Sequence, residues 1–227
     1  MSVYWAPPLV ATGEGYLAAF DTGPCTYASR VASGPNAGMV TGYSATGDGF
    51  SGLPGACEEA FGARPAILPR DIAAAQCPAL EFARALQGRG ESPVQLTLSQ
   101  DRIASGDTLR ADLTVAGEQA VWAVLISPLG PAYSLTSRLS EPVGGRRSIS
   151  FGLTLAAGAE AEPQLLLVVA TDATPTQAAA AMEDAQVAEL LPVVLDEIAA
   201  NGSGYSAAPG YVMLTGASDA PATAPAD

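Results

Sequence analysis

The sequence contains no histidine and no lysine. All ten basic residues are arginine, and they face 23 acidic residues, so the net charge is −13. Each absence removes a mechanism. Without histidine there is no Ser-His-Asp triad, no Cys-His dyad and no imidazole to hold a metal. Without lysine there is no P-loop lysine, no Schiff base and no kinase-type phosphate anchor. The acidic excess argues against nucleic acid, whose phosphates need cations to neutralise them. It argues equally against direct binding to an anionic membrane surface. Its plain reading is solubility. Long apolar runs are also missing. No stretch approaches the roughly 18 residues that a spanning helix needs. The opening "MSVYWAPPLV" lacks the basic start and long apolar segment of a signal peptide, which predicts a cytosolic protein or a mature or excised chain.

What is present is apolar. The 227 residues are 48% hydrophobic, enough for a packed core in one large or two small domains. Residues 1–15 read as an extended lead-in. "YLAAFDTGPCTYASRVAS" (16–33) reads as strand, turn and strand, and "AGMVTGYSAT" (37–46) as a third strand. Leu53, Cys57, Ala60 and Phe61 follow helical spacing, and Gly62 closes that segment. "RPAILPRD" (64–71) reads as another strand. Pro78 suits the first turn of a helix running to about Gln87. These elements predict a small α/β domain over 16–88, with a boundary in the polar "GRGES" (88–92).

From residue 92 the rhythm changes. "PVQLTLSQ", "TLRADLTVAG", "AVWAVLISPLG", "YSLTSRL", "RSISFGLTLAAG" and "PQLLLVVATD" are short strand-like stretches separated by turn signals. They predict an antiparallel β-sandwich over 92–216, and the overall class is α+β. Leu165–Ala170 is apolar on both faces, as a central strand should be. Thr174-Pro175-Thr176-Gln177 can cap a helix over 175–200, with Val187, Leu190, Leu191, Val194 and Ile198 as its apolar stripe. Pro192 falls inside that stripe and predicts a kink or two abutting helices. "GYVMLTG" (210–216) closes the sheet, and the Pro/Ala-rich tail 217–227 is expected to be disordered.

Three motifs bear on chemistry. Gly47, Gly49 and Gly52 have the G-x-G-x-x-G spacing of a dinucleotide turn, with Asp71 about 20 residues on. The strand before it is polar, Pro54 sits in the following helix, and little chain remains for further βαβ units. A flexible turn is therefore the favoured reading, and a nucleotide-binding enzyme the alternative. Cys25, Cys57 and Cys77 form no C-x-x-C cluster. Either Cys25 and Cys77 pair, closing a loop of 53 residues with Cys57 buried and free, or all three are buried thiols. The adjacent carboxylates Glu58-Glu59, Glu183-Asp184 and Asp196-Glu197 point different ways on a helix and read as surface. Arg146-Arg147 after Gly144-Gly145 reads as a hairpin tip. No catalytic, cofactor-binding or metal-binding residue is assigned.

"FDTGPCTYASRV", "GMVTGYSATGDGFSGLPGACEEAFG" and "AAQCPALEFARAL" together resemble the extracytoplasmic region that follows the kinase domain in some bacterial membrane-bound serine/threonine protein kinases. Asp21, Cys25, Gly42-Tyr43 and Gln76-Cys77-Pro78 carry the likeness. The layout is also similar to BON-type envelope modules. "VQLTLSQDRIASGDTLRADLTVAGEQAVWAVLISPLG" resembles a β-sandwich domain of unknown function that accompanies such kinases. Cys57 is an addition to the pattern, and no kinase segment is present. The resemblance implies a periplasmic or otherwise extracytoplasmic, non-catalytic sensor or interaction module that needs no cofactor. Its partner would be a protein or a wall-derived ligand, and it supports the Cys25–Cys77 pairing. A structural subunit of an envelope or secretion assembly is the alternative.

Overall fold

The computed structural model describes residues 13, 15–20, 22–32, 36–47, 49–87, 93–180, 185–201 and 205–216. The expected boundary at 88–92, the tail, Asp21 and the Glu183-Asp184 pair lie outside the described residues. The chain is α+β, mostly strands in open sheets, with four helices after residue 50 and a short helical stretch before β1 among the described residues.

Residues 15–19 are helical, not the first strand expected there. Tyr16 and Phe20 satisfy both alternation and an i, i+4 spacing, and the helix is what stacks Tyr16 edge-on against Phe61, with centroids 4.9 Å apart. β1 (Thr26–Arg30) and β2 (Val40–Ser44) are antiparallel. α1 (Leu53–Phe61) then returns the chain to β3 (Ile67–Asp71), which lies parallel to β2. Leu53 and Cys57 are fully buried, and Phe61 is half-buried against the same small core. Ala60, placed on that face by spacing, is exposed. Gly62 ends α1 in the left-handed conformation at φ 66°, donating its N–H to the Glu58 carbonyl. After one 3-10 turn (Ala74–Gln76), α2 (Cys77–Leu86) starts with Pro78 in its first turn, where a missing N–H costs nothing.

The remaining chain builds two sheets. β4 (Gln95–Leu98), β6 (Thr108–Thr114) and β9 (Arg146–Gly152) form one of three strands, in the order β4-β6-β9. The other has six strands. These are β5 (Arg102–Ala104), β7 (Ala120–Ile126), β8 (Pro131–Ser134), β10 (Glu162–Thr171), β11 (Ala185–Gln186) and β12 (Ser206–Thr215), in the order β11-β8-β7-β10-β12-β5. Pairing is antiparallel except where β5 joins β12 in parallel. Gly144 and Gly145 both take positive φ, at 58° and 76°, in a two-residue hairpin closed between Val143 and Arg146. That places Arg146-Arg147 at a hairpin tip.

The six-stranded sheet is covered on both faces, and β10 registers this residue by residue. Leu166, Val168 and Ala170 share a core with Leu109, Leu113, Ile149 and Phe151 of the three-stranded sheet. Leu165, Leu167 and Val169 turn the other way, onto Leu80, Phe82 and Leu86 of α2 and Leu191, Val194 and Ile198 of the C-terminal helix. Each such Leu, Val, Ile or Phe side chain contributes about 1.5–3 kcal/mol by leaving water. The helical stretch expected over 175–200, with a kink or two abutting helices at Pro192, is two helices, α3 (Thr176–Ala180) and α4 (Val187–Asn201), that do not part at Pro192. The break comes at β11, which pairs with β8, and Pro192 lies inside α4.

Candidate functional site

A set of buried and half-buried polar side chains runs along the seam where β1–β3 and α2 meet the six-stranded sheet. Gln76 is wholly buried. Its amide nitrogen donates to the carbonyls of Ile126 (2.9 Å) and Pro163 (3.1 Å), and its amide oxygen accepts the Ala73 N–H at 3.0 Å. Tyr43 is buried at the end of β2 and donates its hydroxyl to the Pro209 carbonyl on β12, at 2.8 Å. Arg70 of β3 lies 5.2 Å from the Tyr211 ring centroid and pairs with Asp101 at 2.9 Å. Arg84 donates to the carbonyls of Phe20 and Gly23, and Gln87 to that of Ala28. The sulfurs of Cys25 and Cys77 are bonded, with Cα atoms 4.8 Å apart, which pins the entry of β1 to the first turn of α2. Cys57 is free and buried, and burial pushes its thiol pKa up.

Burial also pushes the Tyr43 hydroxyl far above the ordinary tyrosine range, while the Arg70 guanidinium pulls weakly the other way. Tyr211 is raised for the same leading reason. The folded pKa of Tyr43 exceeds its unfolded value of about 10, so the stability it contributes is complete below about pH 10 and is lost as pH rises beyond it. Urea titrations across that range should therefore show wild type losing stability more steeply than Tyr43→Phe. The gap approaches about 1.4 kcal/mol per pH unit. Parallel curves would mean that the hydroxyl is not held neutral in the interior.

The glycine turn does stand between a strand and a helix, and β2, α1 and β3 form one βαβ unit. Its atoms are nonetheless used internally. Gly47 is exposed and takes φ 80°, a left-handed position. A Cβ on Gly49 would come within 2.8 Å of the Thr22 carbonyl oxygen, so the chain's own backbone occupies the close approach that a pyrophosphate would need. Gly52 is the α1 N-cap and exposed. In the first turn of α1 the Leu53 N–H is bonded to the Phe50 carbonyl and Pro54 has none, which leaves Gly55 as the remaining donor there. β1, on the other side of β2, is antiparallel, so no neighbouring parallel strand widens the unit into a crevice. Substitution should separate the three glycines. Gly47→Ala and Gly49→Ala are each expected to cost about 1–3 kcal/mol by thermal or urea melting. Gly52→Ala, with its nearest new neighbour at 3.9 Å, should be close to neutral.

No family model matches the chain, and no curated protein matches it in sequence. Among solved structures it is similar to a DUF4785 family protein from Legionella pneumophila. That match is 14% identical with a TM-score of 0.33, and covers 55% of this chain and 28% of the other. The chain thus spans under a third of that neighbour's length.

Glu58-Glu59 and Asp196-Glu197, the acidic pairs among the described residues, gather into no metal-ligand cluster. Glu58 and Glu59 are exposed, and Glu58 meets Arg64 at the surface. Glu197 accepts both the N–H and the hydroxyl of Thr176, so it ties α4 to the start of α3. No cluster of three potential metal ligands occurs among the described residues. No helix among them is long and apolar enough to cross a membrane. A feature that sequence reasoning missed lies between α2 and α4. Pro78, Glu81 and Phe82 face Leu191, Pro192 and Leu195 across an open groove of about 130 Å3. The two sides are more than a hundred residues apart in sequence, so no local signal could have joined them.

Proposed function

We propose that this chain is a non-catalytic recognition module of a bacterial envelope protein. In this reading a small disulfide-linked α/β part resembling a BON-type module is carried on a β-sandwich, outside the cytoplasm, and works by surface contact. One observation carries it: Gln76, Tyr43 and Arg70, the polar side chains that cross the seam, are committed to internal ties. Gln76 and Tyr43 end on backbone carbonyls and Arg70 on Asp101 and Tyr211, an arrangement that holds two parts in fixed register. The Cys25–Cys77 bond supports an oxidising compartment. Recognition then falls to the surface, where Leu129, Val143 and Val193 stand 81%, 76% and 48% exposed.

The test is photo-crosslinking of the chain exported to a bacterial periplasm, with the crosslinker placed singly at Leu129, Val143 and Val193. A discrete protein or glycan adduct at one of these positions is expected. Folded, oxidised chain that yields no adduct at any of them would sink the reading.

A further inference from the structure

The groove between α2 and α4 combines an apolar floor with a carboxylate rim. Phe82 and Leu191 form the floor, each at most 2% exposed. Pro78, Pro192 and Leu195 form the walls and remain partly or fully open to solvent. Its volume of about 130 Å3 is close to that of a cavity that admits one benzene-sized group. The charged residue that lines it is acidic. Glu81 lines the α2 side and is exposed. On α4, Glu189 and Asp196 lie three residues before and four after Pro192, which sets them on the same exposed flank, one turn to either side of it. Val193 continues that flank. The one arginine of α2, Arg84, is turned away and donates to the Phe20 and Gly23 carbonyls.

We infer that this groove docks a partner segment in which one aromatic or branched aliphatic side chain is flanked by basic residues. The charge decides among occupants. A second copy of this chain would bring another −13 to an already acidic rim, and an anionic lipid surface would be repelled by the same carboxylates. A basic segment gains from both parts of the site: its apolar side chain leaves water in the groove, and its cations meet Glu81, Glu189 and Asp196. The inference rests on the recognition reading above and names its surface.

The probe is a fluorescent peptide with a central phenylalanine between arginine pairs, compared with the same peptide carrying glutamates. Anisotropy titration of the full chain should show the basic peptide binding at least about tenfold tighter, an advantage that shrinks as salt rises. Glu81→Arg and, separately, Leu195→Gln should each weaken it about tenfold, whereas Ser150→Arg, exposed on the outer face of the three-stranded sheet, should not. Equal affinity for the two peptides, no binding of the basic one, or binding unchanged in both groove variants overturns the inference. If that happens while adducts still form at Leu129 or Val143, the recognition reading stands and only the groove falls.

Discussion

Breaking the Cys25–Cys77 bond, by reductant or by the double substitution Cys25→Ala/Cys77→Ala, is expected to lower unfolding free energy by about 4 kcal/mol. The bond spans 52 positions. Closing a loop of that size removes about 4 kcal/mol of conformational freedom from the unfolded chain. Domains commonly have only about 5–15 kcal/mol in total. The native turn has a second anchor, since Arg84 holds the Phe20 and Gly23 carbonyls without help from the sulfurs. Most of the loss should therefore come through the unfolded state, and urea melts should show a steeper dependence on denaturant once the loop is open. Cys25 sits at φ 54°, a left-handed conformation that costs a non-glycine residue about 1–2 kcal/mol. Cys25→Gly/Cys77→Ala should then be more stable than the double alanine variant. Cys57 serves as an internal control, because it is fully buried and should label only after unfolding. Identical melts with and without reductant would show that the two sulfurs are not bonded in the protein.

Where the sequence was legible, a single periodicity had a single consequence. The alternation Leu109, Ala111, Leu113 and Val115 became a strand with that face buried against the six-stranded sheet. The unbroken run Leu165–Ala170 became the strand covered on both sides, between β7 and β12. Pro78 and Gly62 marked helix ends because proline and glycine act on the backbone alone. Reading failed where two patterns fitted one stretch or where the determinant was distant. Tyr16 and Phe20 suit a strand and a helix equally, and contact with Phe61 decides. β5 has three residues, too few for a pattern, and exists because β12 offers it an edge. The interruption between α3 and α4 follows from β11 pairing with β8, a contact across some fifty residues. The candidate surface shows the same limit. Pro192 was legible as a helix irregularity, but its role as a groove wall depends on Pro78 and Glu81 across the gap.

Gln76 gives the sharpest example of a residue whose neighbours, not its type, decide its importance. In sequence it is a polar residue before a Cys-Pro pair. In the fold it is wholly buried and joins three places at once: the Ala73 N–H at the start of the 3-10 turn, the Ile126 carbonyl at the end of β7 and the Pro163 carbonyl near the start of β10. Gln76→Ala removes all three bonds, leaving one donor and two acceptors without it, the Ile126 carbonyl in the buried interior and the other two partly buried. A fully buried orphan costs about 1–3 kcal/mol; only the Ile126 bond is fully buried, so a total towards the low end of three such costs, about 3–5 kcal/mol, is expected in urea melts. Gln76→Leu should not rescue it, because filling the volume leaves the same three backbone groups unpaired. Gln76→Glu separates hydrogen bonding from volume. As a carboxylate it would face two carbonyl oxygens and could donate to neither, so burial and these acceptors would raise its folded pKa above the unfolded value of about 4.3. A raised carboxyl pKa contributes stability that is present below the unfolded value and is lost as pH rises through the folded one. Gln76→Glu should therefore approach wild type at acid pH and fall progressively behind it towards neutrality, while the deficit of Gln76→Ala stays constant with pH. Equal deficits for the two variants at every pH would mean that the Gln76 amide nitrogen is not the group bridging the two strands.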